Sequence, residues 1–111
     1  MSTAKFNQWL NSDGTENYKC RAWVNFNGTG TVAINASGNV SSITDNGTGN
    51  YTVNFTTAMP DANYVSFLGN GGGYNDMSGT HTAIAKQVFT YNFGNPPAAA
   101  DRTPVQVAIF R

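Results

Sequence analysis

The chain has 111 residues, enough for one domain that buries roughly 60–70% of the surface its unfolded form exposes. Charged residues make up only 11%, and six basic side chains cancel six acidic ones, which leaves no basic stripe for a phosphate backbone and argues against nucleic-acid binding. Aromatic content of 13% with so little charge argues against disorder, and no apolar run is long enough to predict membrane insertion.

Met1 to Lys5 lead into no apolar signal-peptide core, so the expectation is a chain synthesised and kept in a cytoplasm, or released only by lysis. Residues 1–19 are mostly polar and read as an N-terminal arm, and residues 20–111 read as a single domain. Within the arm, Phe6, Trp9 and Leu10 have the spacing of a helical face, and Trp9 is expected to pin the arm to the body or to a partner chain.

From Cys20 the pattern alternates. Cys20, Ala22, Val24 and Phe26 point toward a core, and Arg21, Trp23 and Asn25 point away. This phase makes Cys20 a buried small hydrophobe, and as the single cysteine it has no intrachain disulfide partner. It leaves Trp23 outward, a candidate subunit-interface anchor together with Trp9.

The phrase Asn27-Gly28-Thr29-Gly30 then recurs as Asn46-Gly47-Thr48-Gly49, each copy followed by an alternating run. Asn-Gly tolerates positive φ, so each copy predicts a tight hairpin. Val32, Ile34 and Ala36 are expected to line one face, and Ser37-Gly38-Asn39 turns the chain. Val40 to Thr44 is a third strand whose phase slips between Val40 and Ile43, which predicts a bulge. Tyr51, Val53 and Phe55 form the inner face of a fourth. Met59 to Asn63 breaks the pattern and Tyr64 to Leu68 resumes it. Gly69–Thr82 reads as one long loop. Gln87 to Phe93 is another strand, with Phe89, Tyr91 and Phe93 on one face. Pro96-Pro97 opens a second loop, and Val105, Val107 and Ile109 alternate in a final strand. About seven short strands built from successive hairpins predict an all-β, antiparallel β-sandwich.

The run from Cys20 to Ile34 (Cys20-Arg21-Ala22-Trp23-Val24-Asn25-Phe26-Asn27-Gly28-Thr29-Gly30-Thr31-Val32-Ala33-Ile34) resembles a module found near the C-termini of phage tail-fibre and related virion proteins. So do Ser37 to Asn39, Val40 to Gly49, Tyr51 to Phe55 and Met59 to Tyr64, and Val105 to Phe110 resembles the family's terminal strand. The likeness is close over Cys20–Tyr64 and loose at the end. It implies a virion component assembled in the bacterial host cytoplasm, homotrimeric and displayed at a distal tip, and it implies no known chemistry. Family members carry a long N-terminal shaft that this sequence does not show, and the region between Tyr64 and Val105 matches no pattern of the family.

The Gly69–Thr82 stretch is the best binding candidate, because recognition residues concentrate on long loops over a rigid scaffold. Tyr74 offers a flat apolar face with a polar tip, and Asn70, Asn75, Asp76 and His81 can hydrogen-bond hydroxyls, a mix suited to a sugar. The expected ligand is a host cell-surface glycan or an outer-membrane protein. The alternative is a structural virion protein, a capsid decoration or tail-assembly part, that binds other virion proteins.

Other chemistries find little support. Gly69 to Gly73 lacks the Gly-Lys-Ser/Thr ending of a phosphate cradle. Asp45, Asp61, Asp76 and Asp101 are scattered among turns, where Asp normally holds the turn itself. His81 is the single histidine and cannot make a zinc site alone, so neither metal nor cofactor is expected. Glycoside hydrolysis needs two facing carboxylates, and the closest acidic pair, Asp13 and Glu16, lies in the polar arm, so the chain is expected not to be an enzyme.

Overall fold

A computed structural model describes residues 10–15 and 19–111, so Trp9, with Phe6 and Glu16, lies outside the described residues. Eight strands follow in order: β1 (Cys20–Asn27), β2 (Ala33–Gly38), β3 (Val40–Gly47), β4 (Asn50–Phe55), β5 (Val65–Asn70), β6 (Tyr74–Asp76), β7 (Ala85–Tyr91) and β8 (Val105–Phe110). They form two antiparallel sheets of four, β2-β1-β8-β5 and β3-β4-β7-β6, in the all-β sandwich arrangement expected. The hairpin β1–β2 lies in the first sheet and the hairpins β3–β4 and β6–β7 lie in the second, and the last strand enters the middle of the first sheet between β1 and β5.

The inner faces follow the period-two pattern. Ala22, Val24 and Phe26 on β1 and Val105, Val107 and Ile109 on β8 meet Tyr51, Val53 and Phe55 on β4 and Val88 on β7. Phe26 and Tyr51 pack edge to face across the sheets, with ring centroids 5.2 Å apart. Phe55 and Tyr64 do the same at 5.8 Å.

Both copies of the repeated phrase lie at hairpin ends, linking β1 to β2 and β3 to β4. The last glycine of each copy is left-handed, Gly30 at φ 59° and Gly49 at φ 62°, and in the second copy Gly47 also has positive φ (136°). The two copies also converge on one segment. Gly28 N donates to Arg102 O at 2.9 Å, and Gly49 N donates to Asp101 Oδ1 at 2.8 Å. The buried Tyr51 hydroxyl lies between them, sharing its proton between Gly28 O at 2.8 Å and Asp101 Oδ1 at 3.0 Å. Burial first, and then the neighbouring Asp101 carboxylate, push the Tyr51 phenol up to about 12.

The passage from one sheet to the other is made by Asn39, which is the single non-glycine residue at positive φ (56°) among those described. Its amide donates to Arg21 O at 3.1 Å and Thr57 O at 3.0 Å, and its Oδ1 accepts from Thr57 N at 2.7 Å. The expected bulge in the third strand is present as a register shift between Val40 and Ser42.

Four expectations need correction. Cys20 is exposed, not buried. The β1–β8 register slips between Cys20 and Ala22, and a one-residue slip turns a side chain to the other face. Ile34 and Ala36 do not line a core: β2 is an edge strand and all but its last residue are exposed, with Val32 alone of that trio packed against the core. The inner face of β7 is Lys86, Val88 and Thr90, so Phe89 and Tyr91 stand outward, and Phe93 lies beyond the strand and is exposed. Gly69–Thr82 is not one loop, because it holds β6 and a bridge from His81 to Lys86.

Candidate ligand-binding site

Strand β6 pairs with β7 through Tyr74↔Tyr91, Asn75↔Thr90 and Asp76↔Phe89. Paired residues project to the same side, and Thr90 is buried. Tyr74 and Asp76 therefore share the outer face with Tyr91 and Phe89, while Asn75 turns to the inner side with Thr90, where its amide reaches Leu68 O on β5. Tyr74 is 48% exposed and Phe93 66%. The two rings meet edge to face at 4.9 Å and stand out from the surface as an aromatic pair. Beside them runs an open groove of about 420 Å³ lined by Tyr74, Asn75, Asp76, Tyr91 and Pro97.

Asn70, Tyr74 and Asn75 are locked together at the turn joining β5 to β6. Asn70 Nδ2 donates to Asn75 Oδ1 and to Tyr74 O, and its Oδ1 accepts from Gly72 N at 2.8 Å. Asn75 Nδ2 donates to Leu68 O at 3.2 Å. Asp76 Oδ1 accepts from Ser78 N at 2.8 Å, and the Ser78 bonds hold its carboxyl below the usual carboxylate range. It therefore stays a charged acceptor on the groove rim. Three of the five sequence-predicted ligand residues, Tyr74, Asn75 and Asp76, line this groove, and Asn70 braces it from behind.

His81 belongs elsewhere. Its ring stacks on Tyr64 at 4.0 Å, and the Tyr64 hydroxyl donates to Thr82 O and Ala85 O. Burial pushes the Tyr64 phenol up to about 12. This is a packing role between the residue that precedes β5 and the segment bridged to β7, and His81 does not line the groove. Lys86, the neighbour across the His81 bridge, is buried, and its ammonium donates to Met77 O. Burial pushes its pKa down, and the attraction of Asp76 opposes that shift.

The other aspartates hold turns or loops. Asp45 Oδ1 accepts from Gly47 N, and Asp61 Oδ1 accepts from Asn63 N while Arg111 binds both of its oxygens at 3.0 Å. No group of three or more His, Cys, Asp or Glu side chains suited to a metal ion exists among the described residues.

Sequence reasoning missed Tyr91 and Pro97 as groove residues and Phe93 as the ring partner of Tyr74. Phe89, Tyr91 and Phe93 outweigh Lys86, Val88 and Thr90 in apolar content, which assigns β7 the wrong inner face. The lysine in phase with Val88 gave no warning, because its ammonium is bonded to Met77 O from the segment that follows β6.

The second predicted site, Trp23, lies on the outer face of the first sheet and is 45% exposed. It pairs with Ala108, which pairs with Phe67, so the small Ala108 separates two aromatic side chains on neighbouring strands. Phe67 is 60% exposed and packs edge to face on Phe110 at 5.9 Å. Trp23 lies across Gly38 on β2, where a Cβ would collide with the indole. A groove of about 450 Å³ runs along this apolar face, lined by Trp23, Phe67 and Gln106 among others.

Compared with known family models, curated proteins and solved structures, the chain shows no match. No described helix is long and apolar enough to cross a membrane.

Proposed function

We propose that this chain is a non-enzymatic virion protein of the tail-fibre-tip type that binds a host cell-surface glycan or outer-membrane component. The observation that carries this reading is the groove beside Tyr74 and Phe93. An exposed aromatic pair, a phenol and a charged Asp76 acceptor are held on a strand pair backed by a packed sheet. Aromatic faces with a few fixed polar groups suit a ligand that has both apolar and hydroxylated surfaces. The resemblance over Cys20–Tyr64 supplies the virion context. In this reading the Trp23–Phe67–Phe110 face is the subunit contact of a homotrimer. Three weak sites on one rigid particle then gain avidity that one site lacks.

A structural virion role without host binding is the second reading. It is favoured by the size of that apolar face, since contiguous exposed aromatic surface usually marks a protein contact. Two measurements separate the readings. Light scattering over a range of concentrations gives the mass, and retention of the purified protein on host cells gives the binding. A trimer retained on cells, with retention lost in Tyr74→Ala, supports host recognition. A trimer with no retention at any concentration supports the structural role.

A further inference from the structure

The outer face of the second sheet extends well beyond the groove, and its remaining rows are built from amides and hydroxyls. Thr44, Thr52 and Gln87 form one row across β3, β4 and β7, and Asn50, Phe89 and Asp76 form the next across β4, β7 and β6. These side chains bond to each other. Gln87 Nε2 donates to Asn50 Oδ1 at 2.8 Å, and Asn46 Nδ2 donates to Thr52 Oγ1 at 2.8 Å. Asn54 Nδ2 donates to Thr44 Oγ1 at 2.9 Å and Ser42 Oγ at 3.1 Å.

This lattice has a directional consequence. The Thr44, Thr52 and Ser42 hydroxyls each accept from an amide, so their protons remain to be donated outward. The same network fixes the amide of Asn50 with its oxygen inward, toward Gln87 and Asn46, and its NH₂ available. Fixed donors bind without the ordering cost that a mobile surface amide would incur. Within these two rows the only charged side chain is Asp76, next to the aromatic pair.

We infer that this face is a track for an uncharged, hydroxyl-rich polysaccharide segment. One ring stacks at Tyr74 and Phe93, and the following units hydrogen-bond to Asn50, Thr52 and Thr44. The track crosses three inter-strand spacings, about 14 Å, the scale of a short oligosaccharide. An acidic glycan is disfavoured, because Asp76 repels it and neither row carries a cation. This inference rests on the host-recognition reading and narrows its ligand class.

The test uses the full chain with neutral gluco-, galacto- and manno-configured hexasaccharides, and an oligogalacturonate of the same length as the acidic probe. Titration is followed by amide chemical shifts. The expected result is weak binding to at least one neutral probe, with shifts at Tyr74, Asn50, Thr52 and Gln87. Tyr74→Ala should weaken that binding at least tenfold. Thr52→Val, which keeps the shape and removes the hydroxyl, should weaken it about threefold to tenfold, the loss expected for one hydrogen bond. Trp23→Ala should leave the affinity per site unchanged. Preference for the oligogalacturonate, shifts confined to other surfaces, or indifference to both Tyr74→Ala and Thr52→Val would overturn the inference. Retention on host cells without binding to any neutral probe also overturns it, yet leaves host recognition standing. Binding to a neutral probe without cell retention supports the track and removes the host-recognition reading.

Discussion

Replacing Tyr51 with Phe removes one oxygen from the centre of the molecule and tests what holds the two repeated turns against the segment before β8. The ring is fully buried and keeps its edge contact with Phe26, so no cavity opens. What is lost is a proton shared between Gly28 O and Asp101 Oδ1. A hydrogen bond to a charged group is worth about 1.5–3 kcal/mol, and the exposed Asp101 regains some hydration, so we expect a loss of about 2 kcal/mol. Urea unfolding at pH 7 should show a lower midpoint with an unchanged m-value. Asp101→Ala removes the same bond together with the one from Gly49 N. The double variant should therefore lose less than the sum of the single variants. The pH dependence gives a second readout. The fold holds the Tyr51 proton up to about 12, against an ordinary value of 10.0. Its contribution is present below pH 10 and is lost as pH rises from 10 through 12, because the unfolded chain releases that proton first. Tyr51→Phe should flatten part of this alkaline decline, leaving the part due to Tyr64. A Phe variant within about 0.5 kcal/mol of the parent, or strict additivity with Asp101→Ala, would refute the idea that this hydroxyl ties the turns together.

Other consequences follow from the same frame. Gly30→Ala and Gly49→Ala impose similar left-handed strain, but a Cβ on Gly30 meets open space whereas one on Gly49 collides with Thr90 O; thermal unfolding should show a loss of about 1–2 kcal/mol for the first and clearly more for the second. Asn39→Ala loses both the left-handed preference and the bonds to Arg21 and Thr57, while Asn39→Gly keeps the conformation; denaturation should rank the parent above Gly and Gly above Ala. The Arg111 guanidinium holds the Asp61 carboxyl down to about 2, so its stabilising contribution is present above pH 4 and is lost as pH falls through about 2; carboxyl NMR should find Asp61 titrating in that low range, and higher in Arg111→Ala.

The fold was legible where alternation and turn chemistry agreed. Tyr51, Val53 and Phe55 alternate with polar neighbours, and Val105, Val107 and Ile109 are β-branched residues spaced by two with Gln106 and Ala108 between them, both in central strands, and there the period of two decides the face. The repeated Asn-Gly-Thr-Gly marked two hairpins because only glycine takes the left-handed position at low cost. Legibility failed where pairing, rather than pattern, decides. The slip beside Cys20 is a property of two strands together and leaves no mark in either. Strand β6 is only three residues long and preceded by three glycines, and it exists because β7 offers it an edge.

The candidate site was half legible for the same reason. Tyr74, Asn75 and Asp76 stood out as sugar-compatible residues in a glycine-rich stretch, but their partners are Tyr91 at the end of β7, a strand whose inner face composition misassigned, and Phe93 and Pro97 just beyond it. The two outer faces also differ in a way that sequence does not display. One is an apolar surface around Trp23 and Phe67, and the other is a hydrogen-bonded lattice ending in Tyr74 and Phe93. Because the sheets pack back to back, any assembly that covers the first face turns the second outward. The two roles should then separate by mutation. Phe67→Ser should lower the mass in solution and lower cell retention with it, through lost avidity. Tyr74→Ala should lower retention at unchanged mass. If Phe67→Ser leaves the mass intact, the subunits do not meet on this face, and the outward display of the groove loses its structural basis.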